Sequence, residues 1–213
     1  MEITWYGHSC FRFMERGMAS VVTDPYDNDE VGFKPLKLKA DIVTSSHNVP
    51  GHNFLSAVKN DPYVINGPGE YEIGGVFITA IQTNGGSKST DEIRNILCVF
   101  SFKGFNIVHL GALKKVPSQA QVDALGSVNV ALVPIGGGEG LSPSKAAEAI
   151  SLLEPNFVIP MHYATEEKNI ELESLNKFLK EMGTPDIQSE DTLKVNIQSP
   201  LPEDSRVVVL NNS

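Results

Sequence analysis

Among 213 residues there are only two cysteines, one tryptophan and five histidines. Cys10 and Cys98 each sit inside an apolar, strand-like run. A pair placed this way reads as two buried thiols and excludes a disulfide framework. No apolar stretch approaches the roughly 20 residues that a membrane span needs. The opening Met1-Glu2-Ile3-Thr4-Trp5 has no basic segment followed by an apolar run, so no signal peptide is expected. Blocks of lysine and arginine are also missing: 17 basic residues stand against 26 acidic ones, for a net charge of −9. An acidic surface of this kind repels nucleic acid and anionic lipid. These absences point to a cytoplasmic globular protein with no nucleic-acid or membrane partner.

What is present is a chain of ordinary composition, 41% hydrophobic and 20% charged, with enough length for one full domain or two small ones. Segments rich in β-branched and aromatic residues predict strands over 3–6, 10–14, 19–23, 41–45, 63–65, 76–81, 95–100, 105–110, 128–133, 157–160, 193–197 and 206–210. Helices are predicted near 53–60, near 118–126 with Ser118 as N-cap, after Ser142-Pro143, and over 170–182 with Gly183 ending it. In the third of these, Ala146, Ala149, Ile150 and Leu153 fall at helical spacing. Residues 67–70 (Gly-Pro-Gly-Glu) read as a turn, and 84–90 and 136–140 as loops. Strands come first and helices follow in two halves, about 1–100 and 101–213. No linker separates the halves, so one domain is expected, an α/β protein with two sheets face to face and helices outside.

Four of the histidines lie at strand ends or in the turn after a strand: His8 after the first, His47 after 41–45, His109 at the end of 105–110 and His162 after 157–160. His52 shares the loop of His47. Ligands and catalytic groups in α/β proteins gather beyond such ends, although a scattered histidine is more often structural. The glycine-rich stretch 136–140 lacks the Lys-Ser/Thr of a phosphate-binding loop and reads as a pocket rim. Ser9, Cys10 and Cys98 show no partner pattern for nucleophilic catalysis.

Seven motifs then occur in order: Trp5-Tyr6-Gly7-His8-Ser9, Thr23-Asp24-Pro25, the stretch from Ala40 to His47, Gly67-Pro68-Gly69-Glu70-Tyr71, His109-Leu110-Gly111, Val133-Pro134-Ile135-Gly136-Gly137 and Ile159-Pro160-Met161-His162-Tyr163. Together they resemble the metallo-β-lactamase superfamily, in the branch of zinc-dependent hydrolases similar to ascorbate-6-phosphate lactonase. The resemblance covers nearly the whole chain and implies a four-layer α/β/β/α sandwich. It also implies a two-metal site built on H-x-H-x-D-H plus two further histidines and a bridging aspartate. Neutral imidazoles suit zinc, carboxylates offset its charge, and a water shared between two ions becomes a nucleophile near neutral pH.

Carried over residue by residue, the ligand set is incomplete. His47, His52 and His162 are kept. Val49 and Gly51 replace the second histidine and the aspartate of the loop, Gly85 stands where the next histidine belongs, and Ala112 stands at the bridging aspartate. One metal position keeps only His47, and the other keeps His52 and His162. The resemblance makes Asp24 either a support for a ligand histidine or a turn cap, and places His8 and His109 as pocket-wall residues. Glu139 could supply a carboxylate, but nothing in the sequence aims it at the site.

The expectation is a non-catalytic or weakly active hydrolase homologue with no two-metal cofactor. The alternative is a hydrolase of a small ester, lactone or phosphate-containing substrate that uses one zinc or other divalent metal on His47, His52 and His162. A small-molecule ligand in the former active site and a homo-oligomer are the partners left open.

Overall fold

Alternation of buried and half-exposed side chains sets the first pair of strands. Glu2–Trp5 (β1) and Phe11–Met14 (β2) each turn one face inward and pair antiparallel, Ile3 opposite Phe13. The computed structural model describes residues 1–83, 94–165 and 171–213; the 84–90 loop and Gly85 lie outside them. The chain continues through Val21–Thr23 (β3), the short helix Asn28–Val31 (α1), Leu38–Lys39 (β4), Ile42–Thr44 (β5), Val58–Lys59 (β6) and Tyr63–Ile65 (β7). Then come Gly69–Ile73 (β8), Val76–Gln82 (β9), Ile96–Phe102 (β10), Phe105–His109 (β11), helix Gln119–Leu125 (α2), Val130–Pro134 (β12) and helix Pro143–Leu153 (α3). The last elements are Phe157–Met161 (β13), helix Leu175–Glu181 (α4), Leu193–Lys194 (β14) and Arg206–Val207 (β15).

Two large sheets result. One has the order β14-β1-β2-β3-β5-β7, the other β15-β13-β12-β11-β10-β9-β8, and β4 pairs with β6 in a small ribbon. The chain passes from the first sheet to the second between β7 and β8, and its C-terminal part returns through β14 to pair with β1. One core joins both sheets, from Ile3 and Trp5 through Phe100 and Val130 to Leu210. A second, smaller core lies on the other face of the first sheet, where Val22 and Val43 pack with Tyr26, Val31, Phe33 and Leu38. The outer layer there is thin: α1, a 3-10 turn and the β4–β6 ribbon. On the far side, β12 and β13 are buried at every position, as strands covered on both faces must be. The helix α3 turns Ala146, Ala149, Ile150 and Leu153 inward over them. The α/β sandwich expected from sequence is the observed architecture.

Several local expectations hold. Ser118 accepts from the Gln121 backbone N–H and completes a capping box on α2. Pro143 opens α3, and α4 stops just before Gly183, whose φ is +67°. The helix expected over 53–60 does not form. Leu55–Ala57 makes only a 3-10 turn, and Val58 pairs with Leu38. The segment is too short to sustain a helix by itself, and Pro62 disfavours helical backbone at Asp61. The 67–70 turn is also shorter than expected, because Gly69 and Glu70 already belong to β8. The reversal that the sequence reading missed is Gly74-Gly75, a two-residue hairpin turn joining β8 and β9. The last helix is Leu175–Glu181, not 170–182, and residue 170 lies outside the described chain.

The topology explains where the site forms. Strands β3, β5 and β7 run parallel in one sheet, and β11, β12 and β13 run parallel in the other. Their C-terminal ends release Asp24, Ser46-His47, the 135–141 loop and His162. A hydrogen bond from Ile96 N–H to Ser46 C=O (2.7 Å) ties the β5 loop to the start of β10.

Candidate metal centre

Asp24 is fully buried at the end of β3 with φ +41°, a backbone region that non-glycine residues seldom occupy. Its carboxylate collects three donors. Oδ1 accepts from the Ser46 backbone N–H at 2.7 Å. Oδ2 accepts from Ser46 Oγ at 2.5 Å and from His52 Nδ1 at 2.8 Å. Burial pushes this carboxyl upward, but the neighbouring His109 and the hydrogen bond from His52 more than offset that and hold it down to about 2. Asp24 is therefore an anion at the bottom of the site.

From that anion the tautomers follow. Ser46 has one hydroxyl proton and gives it to Asp24, so its oxygen accepts from His47 Nδ1 at 2.9 Å. His47 then carries its proton on Nδ1 and leaves a lone pair on Nε2, a buried atom with no hydrogen-bond partner among the described residues. Burial, with His52 adding to it, pushes the His47 imidazole down to about 3, so it is neutral at ordinary pH. His52 gives its Nδ1 proton to Asp24, which leaves its Nε2 lone pair to accept from His8 Nε2–H at 3.0 Å. This carboxylate–histidine pairing is how proteins orient imidazoles that bind metals.

His8, in the turn between β1 and β2, enters the cluster. Its ring centroid lies 4.6 Å from that of His52 and 4.5 Å from that of His162, and His47 lies 4.0 Å from His52. His162 N–H donates to His8 C=O at 3.1 Å, and both residues hold positive φ, +53° and +51°. Such strain costs of order 1–3 kcal/mol at each residue and persists where the surroundings enforce it. The 135–141 loop closes against the same backbone: a Cβ on Gly136 would fall 2.2 Å from His162 O, so only glycine fits there. His8, His47, His52 and His162 line a cleft of about 460 Å³, whose wall also includes Val49, Gly51, Leu172 and three glutamates, Glu30, Glu139 and Glu171.

Two groups of side chains bring potential ligand atoms within 4.8 Å of one another: His8 with His52 and His162, and Asp24 with His47 and His52. The three histidines kept from the family motif thus share one cleft but not one cluster. His52 belongs to both groups, His47 to one and His162 to the other. His109 stands apart. Its Nε2 donates to Ser9 C=O at 3.0 Å and its Nδ1 accepts from Gly111 N–H at 3.1 Å, so it fastens the loop after β11 to the loop before β2. Burial lowers its pKa, against the pull of Asp24. Glu139 sits on the rim, half exposed and paired with Lys114 at 2.8 Å. Ala112 is buried, its N–H bonded to Asn95 Oδ1 at 2.8 Å.

Sequence reasoning missed the part His8 plays. The signal available was a histidine in a tight turn, and its approach to His52 spans 44 positions. Ser46, the relay between Asp24 and His47, was also missed. Being next to a strand-end histidine was its only local mark.

A family model for the β-lactamase superfamily domain matches residues 2–162. A UPF0173 metal-dependent hydrolase of Thermococcus kodakarensis is 29% identical over 195 residues, covering 78% of this chain and 85% of its own. A UPF0173 protein of Pyrococcus abyssi is 30% identical over 190 residues, covering 78% and 84%. Among solved structures, a Thermotoga maritima protein assigned to the zinc-dependent hydrolases of the metallo-β-lactamase superfamily superposes with a TM-score of 0.78 at 34% identity, covering 98% of this chain and 97% of its own. Igni18, a metallo hydrolase of Ignicoccus hospitalis, shares the fold at TM-score 0.67 and 20% identity, over 92% and 99% of the two chains. With the sandwich, the strand-end histidine cleft and the family match in agreement, this chain is a member of the metallo-β-lactamase superfamily.

Proposed function

We propose that this protein is a metallo-β-lactamase-fold relative of the metal-dependent hydrolases that has given up two-metal catalysis and keeps its cleft for a small molecule. The observation that carries this is that, among the described residues, Asp24 is the one carboxylate grouped with the histidines; Glu30, Glu139 and Glu171 line the same cleft but fall outside both groups of potential ligand atoms. Val49 and Gly51 line the cleft without a donor side chain. Ala112 is buried and held by Asn95. Asp24, the one buried carboxylate at the cluster among the described residues, already accepts from Ser46 twice and from His52. Two divalent ions need anionic ligands to offset their charge and a group to bridge them. Neutral imidazoles supply neither.

The residues fit a single ion better than a pair. When bound, such an ion supplies Lewis acidity toward an ester, lactone or phosphate oxygen. The chain's own contribution is fixed by its hydrogen bonds: Asp24 and Ser46 set the tautomers of His52 and His47, and the cleft walls limit the reactant to a small molecule. The test is turnover of a small ester, a lactone and a phosphate ester by protein treated first with chelator and then with increasing zinc or manganese. No activity that requires a second metal equivalent is expected. Turnover that grows until two equivalents are bound would overturn the proposal.

A further inference from the structure

We infer that His8, His52 and His162 form a single-metal site in which the His8 imidazole occupies the place of the missing side chain at position 51. The inference rests on the reading above that the two-metal centre is gone. It differs from the ligand set suggested by the family motif, because His8 takes the third position and His47 does not.

The geometry assembles the three rings. Their ligand nitrogens lie within 4.8 Å of one another, and His8 Nε2 stands 3.0 Å from His52 Nε2. A tetrahedral zinc with bonds of about 2.0–2.1 Å to nitrogen sets neighbouring ligand nitrogens roughly 3.4 Å apart. The 3.0 Å separation is a hydrogen bond, so an ion would take the place of the proton that His8 and His52 share, with the two nitrogens moving apart by roughly 0.4 Å. All three are buried at the floor of the cleft yet line its open volume, so a fourth position faces the cavity where a reactant or water would enter. The Asp24 carboxylate aims His52 by holding its Nδ1 proton. The backbone of His162 is braced on that of His8, both in the left-handed region.

Gly51 explains why His8 is in reach. A Cβ on residue 51 would meet His8 Nε2 at 3.1 Å and Val31 Cγ1 at 3.3 Å. A carboxylate at position 51 and the present His8 ring therefore compete for one space. Glycine at 51 leaves it to the imidazole, and one nitrogen donor replaces one oxygen donor. His47 stands outside the trio by position, although its Nε2 lone pair is unspent. It groups with Asp24 and His52, and an ion seated there would have to displace the Ser46 and His52 protons that Asp24 already accepts.

The test uses the full chain stripped of metal by a chelator and titrated with zinc and with cobalt, read by calorimetry and by the visible bands of four-coordinate cobalt. The expected result is one tight equivalent with tetrahedral cobalt bands. His8→Asn, which tolerates the left-handed backbone, should weaken binding by at least about 100-fold, more than the loss of an outer-shell partner costs, and abolish the bands. His47→Gln should leave one equivalent and the bands in place. Should His8→Asn fail to fold by circular dichroism, His162→Asn gives the same readout from the second strained ligand. No binding at all overturns the site but leaves the loss of two-metal chemistry standing. One equivalent that depends on His47 and not on His8 also overturns it. Two tight equivalents overturn both readings.

Discussion

Asp24 accepts three hydrogen bonds from Ser46 and His52 at distances of 2.5–2.8 Å, all inside the protein. Its removal strands the buried Ser46 N–H and the His52 Nδ1 proton and leaves Ser46 Oγ only His47 Nδ1 as a partner. Asp24→Ala should therefore lower the free energy of unfolding by about 3–5 kcal/mol, the range for breaking a buried charged pair, read from denaturant midpoints. Asp24→Asn keeps a residue that suits φ +41° and should lose less. A loss under about 1 kcal/mol for the alanine variant would mean that Asp24 merely caps a turn. At this scale the sequence showed the cleft histidines and the carboxylate but not their bonding. His47, His52 and His162 stand in recognisable motifs. The part His8 plays depends on the fold bringing the β1–β2 turn over Gly51, and on Gly51 leaving room for a ring. No local pattern encodes that meeting.

Among the elements, caps give the clearest expectations. Ser118 and Gln121 bond reciprocally at the start of α2, so Ser118→Ala should cost about 1 kcal/mol. At the end of α3, Glu154 holds the left-handed conformation with φ +45°, a strain of about 1–2 kcal/mol for an L-residue. Glu154→Gly should raise stability by about 1 kcal/mol, net of the entropy that glycine adds to the unfolded chain. Thermal or denaturant unfolding of the two variants should move in opposite directions; a fall in both would show that Glu154 is held by contacts beyond its cap. Elements with strong internal signals were legible: the apolar runs of β10, β12 and β13, and the Ser-Pro start of α3. Those decided by distant partners were not. Val58 joins Leu38 in a parallel ribbon where a helix was expected, and β8 depends on β9 across Gly74-Gly75.

In the molecule as a whole, the buried histidines tie stability to pH. His47 is pushed down to about 3 and His109 is lowered from 6.5, so the folded state keeps both neutral. As pH falls below about 6.5, the unfolded chain takes up protons that the folded chain refuses, and stability must drop. Asp24 adds a second loss further down. Its carboxyl, normally near 3.8, is held at about 2, so its contribution is complete above the ordinary value and disappears as pH falls through the folded one. Denaturant midpoints of the metal-free protein should be level above about pH 7 and fall steadily on acidification. A midpoint that rises between about pH 7 and 5 would contradict neutral burial of these rings.

What distinguishes this protein from a two-metal hydrolase is the number of ions that one chain can hold. Native mass spectrometry of the protein, exchanged into a volatile buffer after incubation with excess zinc, reads that count directly. One zinc per chain at most is predicted, because among the described residues the carboxylate grouped with the histidines is Asp24, which already accepts from Ser46 and His52. A dominant species with two zinc ions per chain would show that the cleft still holds a two-metal centre.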